Sequence, residues 1–472
     1  MILSEMASEK LFLDTVHGYI SVPEDYCNKL IDTPHFQRLR RIEQSSARSL
    51  FPCARHDRFV HSLGVFHIGR RILNSICRDK NISSDINDGI KQSFLIACLL
   101  HDCGHSPFSH TLEDRFGEKK DLFEVYKSAL QDRDIDIPEE WKNDFIPNDT
   151  KQHEIISAYL CVTVFGDSIY TLGGDVGLIG RMIMGLQYKE DGHSLENCFI
   201  SLLNGAIIDA DKLDYVCRDQ WALGYCSNAV DVDRLIEGIG IHNHEGQFQV
   251  VFKKNSITEI QAVVDSKNFQ LVNVFHHHQV EYDQYLLNTC VDELEKTVGD
   301  NIFNYKAIED SVEVGGIKLK LLADDDVMHL MKTKLGEESH LDEWLSREYK
   351  YVSLWKSRAE FIALFREAGG AKILSDGDGS IFVDKIIPAI KKVFDDDIIE
   401  RKQNIKLIFV AEEKILVDFG QGHIVDFYEL NLPFRKDVYK DEVFSYVFVP
   451  KDKKNKHFDD VINEIKSVLN SK

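Results

Sequence analysis

The segment LLHDCGHSPFSH, residues 99–110, places an adjacent histidine and aspartate, His101-Asp102, directly after the apolar run SFLIACLL. An unpaired charge at the end of so apolar a helix is costly to bury. The pair therefore needs a partner that takes an imidazole nitrogen and a carboxylate oxygen together. A divalent metal is one such partner; a simple buried His–Asp hydrogen bond is the alternative. Two further segments carry matching donors. In HDRFVHSLGVFHIG (56–69), His61 follows Arg58 by three residues and opens a helical segment; in IIDADKLDYVCRDQ (207–220), Asp211 sits inside an otherwise apolar helix. His61, His101, Asp102 and Asp211 would supply two nitrogens and two oxygens and leave positions for water and substrate. A metal so held polarises a phosphoryl oxygen and makes hydroxide available near neutral pH. The chemistry expected is metal-dependent phosphohydrolysis.

Along the third segment, Asp211, Tyr215 and Asp219 recur at i, i+4 and i+8, so they share one helix face, with Lys212 beside it. A metal carboxylate, a cation, a phenol and a second carboxylate in a row suit a phosphorylated sugar. A solvated helix face with ordinary ion pairs is the other reading.

These residues need helices to hold them. Apolar residues recur at helical spacing over 61–77, 91–102, 121–130, 153–165, 199–219 and 257–296. Ser106-Pro107 has the pairing of an N-cap and a first turn, and Thr150 precedes the helix that carries His153 and Glu154. The acidic, Pro-containing stretch 131–150 reads as a surface excursion, and 241–253 as a short hairpin turning at Glu245-Gly246. Beyond about residue 300, GGIKLKLL, NIKLIFVAEEKILVDF and VFSYVFVP alternate like strands, and SDGDGS (375–380) reads as a mobile loop. The fold expected is mainly α: a helical core over 1–298, then a smaller α+β lobe over 299–472 for assembly or regulation.

The 56 basic against 78 acidic residues give a net charge of −22, which disfavours nucleic acid and anionic membranes as main partners. No run of about 18 apolar residues suggests a membrane span. The N-terminus MILSEMASEKLFLD is acidic where a signal peptide would be basic and apolar. Ten cysteines, from Cys27 to Cys290, form no C-x-x-C pair, as expected of reduced thiols in a cytoplasmic protein.

The ordered set H…HD…D resembles the HD superfamily of metal-dependent phosphohydrolases. More closely, the chain is similar to the deoxynucleoside triphosphate triphosphohydrolases, animal SAM- and HD-domain-containing members and bacterial dGTPase-like ones included. DTVHGYISV (14–22), IDTPHFQRLRRIEQ (31–44), FPCARHDRFVHSLGV (51–65), HDCGHSPFSH (101–110), HE (153–154) and DADKLDYVCRD (209–219) carry the resemblance. They cover residues 10–220, with weaker similarity to about 290, and no SAM domain is expected ahead of them.

The resemblance implies that His61, His101, Asp102 and Asp211 are metal ligands, with Mn, Fe, Mg, Ni, Co or Zn as the ion and a second Mg on the substrate phosphates. His105, His110, His153 and Glu154 match a catalytic group of histidines with its acidic partner. The position of His110 serves in proton transfer, and that of Glu113 orients it. Arg58, Lys212 and Tyr215 would hold the phosphates, and Gln44 and Asp219 the sugar. Members carry a Tyr-x-His-Lys or Tyr-x-His-Arg signature where this chain reads KNFQLVNVFHHHQVEY, which leaves His276 and His278 as the residues able to line the pocket. Lys10, Asp32, Gln37 and Arg40 match positions that bind an activating nucleotide; a solvated face with local ion pairs is the alternative. By the same resemblance a homo-oligomer, dimer or tetramer, and a role in antiviral defence are implied. Two other functions stay open on this sequence: hydrolysis of another phosphoester, such as a nucleoside monophosphate or cyclic dinucleotide, and an inactive nucleotide sensor.

Overall fold

Helices begin where a side chain satisfies the free amides of a first turn. In the computed structural model, α1 (Arg58–Ile76) starts after Asp57, which accepts the Val60 N–H, and α2 (Asp88–Leu100) after Asn87, which accepts the Ile90 N–H. Next come α3 (Lys119–Gln131), α4 (Gln152–Thr163), α5 (Val176–Met184) and α6 (Ser194–Leu203). α7 (Ala210–Leu223) starts after Asp209, which accepts the Lys212 N–H. The structure describes residues 8–138, 141, 150–205, 208–224, 230–299, 301–375, 380–405, 414–430 and 442–470. Most of the loop expected at 375–380, half of the excursion at 131–150 and the centre of the strand run at 404–419 lie outside them.

Contacts divide the chain into two units that interleave in sequence: residues 1–266, 295–334 and 413–430, and residues 267–294, 335–412 and 431–472. In the first unit α1 packs on α2 and α7, and α4 packs on α3 and α5. Phe59, Phe66, Phe94 and Phe199 fill the space between helices, the last two edge to face at 5.2 Å. Each such ring contributes about 1.5–3 kcal/mol by leaving water. Small antiparallel hairpins flank the helices: β1 (Glu9–Asp14) with β2 (Gly18–Pro23), and β3 (Ile239–His244) with β4 (Gln247–Lys253). The second of these turns at Glu245 and Gly246, with φ of 53° and 85°.

The single helix expected over 199–219 is two, α6 and α7. The Asp209 carboxylate accepts both the Gly205 N–H and the Lys212 N–H, ending one path and starting another. Asp211 sits in the first turn of α7, where the free amides favour a carboxylate. The run expected over 257–296 is likewise α8 (Ile257–Gln270), a widened π-type turn at Leu271–Phe275, and α9 (His278–Val298). After a third hairpin, β5 (Ser311–Val314) with β6 (Ile317–Lys320), comes α10 (Asp324–Lys334).

The second unit holds a three-stranded antiparallel sheet of Tyr351–Ser353, Glu442–Pro450 and Ile399–Ile405, the long strand in the middle. Trp355, Phe361, Phe365, Phe382 and Phe444 are buried against one another, and the helices Ile387–Phe394 and Lys451–Asn470 pack together. The chain is mainly helical, with an α+β region in its C-terminal part. Among the described residues no helix is long and apolar enough to cross a membrane, and nine cysteines are free.

Candidate metal centre and active site

Three helix ends deliver the donors. His61 comes from the first turn of α1, His101 and Asp102 from the residues just past α2, and Asp211 from the first turn of α7. The Nε2 atoms of His61 and His101 lie 3.3 Å apart. Asp211 Oδ1 is 3.0 Å from the first and 3.7 Å from the second. Asp102 sits 3.6 Å from each, through Oδ2 to His61 and Oδ1 to His101. His61 and Asp102 are buried, whereas 34% of the Asp211 side chain is open.

The outer ring nitrogens explain the aim of the inner ones. His61 Nδ1 donates to Asp214 Oδ2 at 2.7 Å, and His101 Nδ1 to the Cys98 carbonyl at 3.0 Å. Both Nε2 atoms are thus turned toward one point, as in metal sites whose histidines are held from behind. Burial works against a charged imidazole, yet Asp211 and Asp214 outweigh it and push His61 up to about 10. Burial likewise raises a carboxyl, but His101 and His61 hold Asp211 well below the usual range. Two nitrogens and two carboxylates at this spacing fit a divalent cation.

Asp214, unassigned in the sequence, is fully buried and holds the back of this site. It also accepts from His17 Nε2 at 2.6 Å and from Arg218 Nε and Nη2 at 2.8 and 3.0 Å, while Arg218 Nη1 reaches Asp14 at 2.8 Å. Gly64 leaves the room: a Cβ there would lie 1.9 Å from Asp214 Oδ1. The signal was present as the i, i+4 spacing of Asp214 and Arg218, which reads as a surface ion pair until the burial is known.

A second cluster adjoins the first, with His153 Nε2 4.0 Å from Asp102 Oδ1. Glu113 bridges two of its rings, accepting His153 Nδ1 at 2.6 Å and His110 Nδ1 at 2.8 Å. His105 stacks on His153 at 4.1 Å; it is fully buried, and neither ring nitrogen has a hydrogen-bond partner. Desolvation keeps His105 well below its ordinary pKa, with Arg58 adding to the effect. His110, half of whose side chain is open, is pulled down to about 4 by desolvation first and Lys151 second, against Glu113.

Several expected roles differ here. Glu154 is not the histidines' acidic partner: its carboxylate accepts the Lys151 N–H at the start of α4 and the Asn204 amide. Glu113 takes that place. Thr150 does not cap α4; its hydroxyl donates to the Met184 carbonyl. No α-helix follows Ser106-Pro107, because the Ser106 hydroxyl donates to the Ser109 carbonyl, and only short 3₁₀ turns follow at Ser109–Thr111 and Glu113–Phe116.

Several of the residues expected on the substrate side are already paired. Arg58 Nη1 bonds Asp102 at 2.6 Å and its Nε bonds the Ser109 hydroxyl at 2.9 Å. Lys212 Nζ bonds Asp209 and the Gly205 carbonyl, each at 2.6 Å. Asp219 lies 3.0 Å from His56 Nε2, and Tyr215 is raised well above its ordinary pKa by burial. Gln44 has a buried Oε1 with no hydrogen-bond partner, and its carbonyl accepts from Arg58. His276 and His278 lie in the second unit, His276 bonded to Glu281 at 2.9 Å and His278 with a buried, unpartnered Nδ1. Lys10 pairs with Asp32 and Arg40 with Gln37, each at 2.9 Å.

Residues 58–214 match the family model for the HD domain. A deoxynucleoside triphosphate triphosphohydrolase SAMHD1 homolog of Dictyostelium discoideum is 30% identical over 238 residues, 50% of this chain and 40% of that protein. The SAMHD1 enzyme of Gallus gallus is 25% identical over 371 residues, 74% of this chain and 57% of that one. An uncharacterized protein of Mycoplasma genitalium is 26% identical over 65% of this chain and 66% of its own length. A solved phosphohydrolase of Bacteroides thetaiotaomicron shares the fold, with a TM-score of 0.63 at 17% identity, covering 94% of this chain and 99% of that one. The segment matched to the family model is the one that brings His61, His101, Asp102 and Asp211 together, and over these residues the chain is similar to the HD domain.

Proposed function

We propose that this chain is a metal-dependent phosphohydrolase that cleaves deoxynucleoside triphosphates to deoxynucleoside and inorganic triphosphate. The observation that carries the reading is the meeting of His61, His101 and Asp211, with Asp102 3.6 Å from both imidazoles, beside a second histidine cluster and two cations, Arg58 and Lys212. The names of the Dictyostelium and chicken relatives point to the same substrate. A divalent ion, bound by those four residues, supplies Lewis acidity to a phosphoryl oxygen and a more acidic water. Arg58 and Lys212 neutralise phosphate charge on the site wall, and Tyr215 lies on the same helix face. Gln44 and Asp219 take the sugar hydroxyl, the unpartnered Gln44 Oε1 being a free acceptor.

His110 gives its Nε2 proton to the leaving 5′-oxygen, while Glu113 holds its Nδ1 and orients the ring. In the free protein that ring is neutral; an anionic triphosphate beside it offsets Lys151 and favours uptake of the proton. His105 and His153 line the same side. His276 and His278 enter as base or phosphate contacts on resemblance alone. Activation by a nucleotide at Lys10, Asp32, Gln37 and Arg40, within a homo-oligomer, and antiviral depletion of nucleotides belong to the same reading.

Purified protein incubated with Mn²⁺ or Mg²⁺ and each dNTP, with and without a second nucleotide, should release deoxynucleoside and triphosphate. Monophosphate with pyrophosphate, or no turnover, overturns the reading.

A second reading has its own observation: His105, His110 and His153 could themselves share an ion, offering ligand atoms within 4.8 Å of one another. A two-metal hydrolase of another phosphoester would then be favoured, and two tightly held metals per chain in elemental analysis would decide for it.

A further inference from the structure

Phe108 and Ser109, the two residues ahead of His110, are both left-handed, with φ of 54° and 52°. Non-glycine residues rarely hold that conformation, and they persist in it only where the surroundings over-determine them. Here the constraint comes from more than 200 residues further along the chain. Asp324, the first residue of α10, accepts the Phe108 N–H on Oδ1 at 2.7 Å and the Glu43 N–H on Oδ2 at 3.0 Å. The Glu43 carbonyl in turn accepts the Ser109 hydroxyl, and that hydroxyl receives Arg58 Nε. The bonds close a ring through Asp324, Phe108, Ser109 and Glu43. Next to it the buried Arg38 guanidinium donates to the Leu322 carbonyl at 2.6 Å, the His105 carbonyl at 2.6 Å and the Cys103 carbonyl at 3.4 Å. The segment 322–324 thus grips the loop 103–109 at both ends. None of its residues falls within 58–214, the span of the HD match.

We infer that Asp324 is a positioning residue, holding the strained Phe108–Ser109 turn and so fixing where His110 and Arg58 meet a substrate. Its effect on turnover rests on the proposed hydrolysis; its hold on the turn does not. The side-chain hydrogen bonds of Asp324 go to Phe108 and Glu43 and to none of the four proposed metal ligands, so its loss should separate catalysis from metal binding.

The test uses the full chain with Mn²⁺ and whichever dNTP the wild-type protein turns over fastest. It reads kcat, KM, Mn²⁺ affinity and amide exchange over residues 40–46 and 103–116. Asp324→Asn keeps one acceptor oxygen and Asp324→Ala keeps none. Misplacement of about 1 Å costs on the order of 100-fold in rate, the loss expected in kcat for the alanine variant, with a smaller one for asparagine. Mn²⁺ affinity should hold while exchange at Phe108 and Glu43 rises. Phe108→Gly, for which a positive φ is easy, should restore part of kcat in Asp324→Ala. Unchanged exchange, unchanged kcat, no rescue by Phe108→Gly, or Mn²⁺ affinity falling in step with kcat each overturn the inference. If the wild-type protein turns over no dNTP, the proposed reaction fails by itself, and the exchange data alone decide whether Asp324 holds the turn.

Discussion

His61 and His110 are both imidazoles whose Nδ1 is held by a largely buried carboxylate, Asp214 in one case and Glu113 in the other. Yet their proton affinities move in opposite directions, His61 up to about 10 and His110 down to about 4. His61 is buried, whereas half of the His110 side chain is open. The difference lies in the company. His61 has Asp211, Asp214 and Asp102 around it, whereas His110 shares its single carboxylate with His153 and faces Lys151 and Arg58. The same side chain, oriented by the same device, is therefore set to sit beside a cation at one place and to stay neutral at the other. Charge balance, and not the histidine itself, separates the proposed metal side from the proposed proton side.

The sharpest way to break that contrast is on the metal side. Asp211→Ala removes the carboxylate that reaches both imidazoles. Mn²⁺ affinity, measured by competition with a chelator, should fall by more than the about 10- to 100-fold typical of residues that merely support a ligand. Turnover should disappear with it. His110→Gln is the counterpart on the proton side: kcat should drop by about 10²- to 10⁴-fold, the usual contribution of a general acid, with Mn²⁺ affinity intact. If both variants lose metal together, the two clusters are one site and the contrast fails.

Asp214→Asn probes the support behind His61 more gently. Mn²⁺ affinity should fall by about 10- to 100-fold as His61 loses its hold. Melting should show a loss of about 1–3 kcal/mol, because Arg218 or His17 is left with a buried donor unpaired. Gly64→Ala should act in the same direction, since its Cβ would collide with the same carboxylate. An Asp214→Asn protein that binds Mn²⁺ like the wild type would show that the ligand needs no support from behind.

The metal side was also the more legible of the two in sequence. An HD pair after six apolar residues, with a histidine near an arginine and an aspartate in an apolar run, names donors by type alone. Their supports were not legible, because a buried Asp214 and an exposed helix aspartate look alike in a string of four acidic residues, Asp209, Asp211, Asp214 and Asp219. Glu113 and Glu154 could each have partnered the histidines by spacing; the cap at Lys151 takes Glu154 away. Among the elements, the hairpin at 239–253 was marked by Glu245-Gly246, a pair that accepts positive φ, while the break between α6 and α7 depends on one carboxylate folding back on Gly205. Asp324 gave no sign at all, since the region after residue 300 carries no motif and its contribution is a pair of backbone hydrogen bonds.

The smallest effect expected is also the one that tests the proton side without a substrate. His105 is buried, its nitrogens are unpartnered, and desolvation holds its folded pKa well below the ordinary value. A histidine depressed on folding contributes stability that is present above the unfolded pKa of about 6.5 and is lost as the pH falls below it. Below that pH the unfolded chain takes up a proton that the folded chain refuses. Metal-free protein should therefore lose stability on acidification from pH 7 to 5, with His105 contributing to the loss. His105→Phe keeps an aromatic ring to stack on His153 and has nothing to protonate, so its melting temperature should fall less over the same interval. An equal acid slope in the two proteins would mean that His105 gains a proton in the folded state, and that the proton side is not kept neutral by burial.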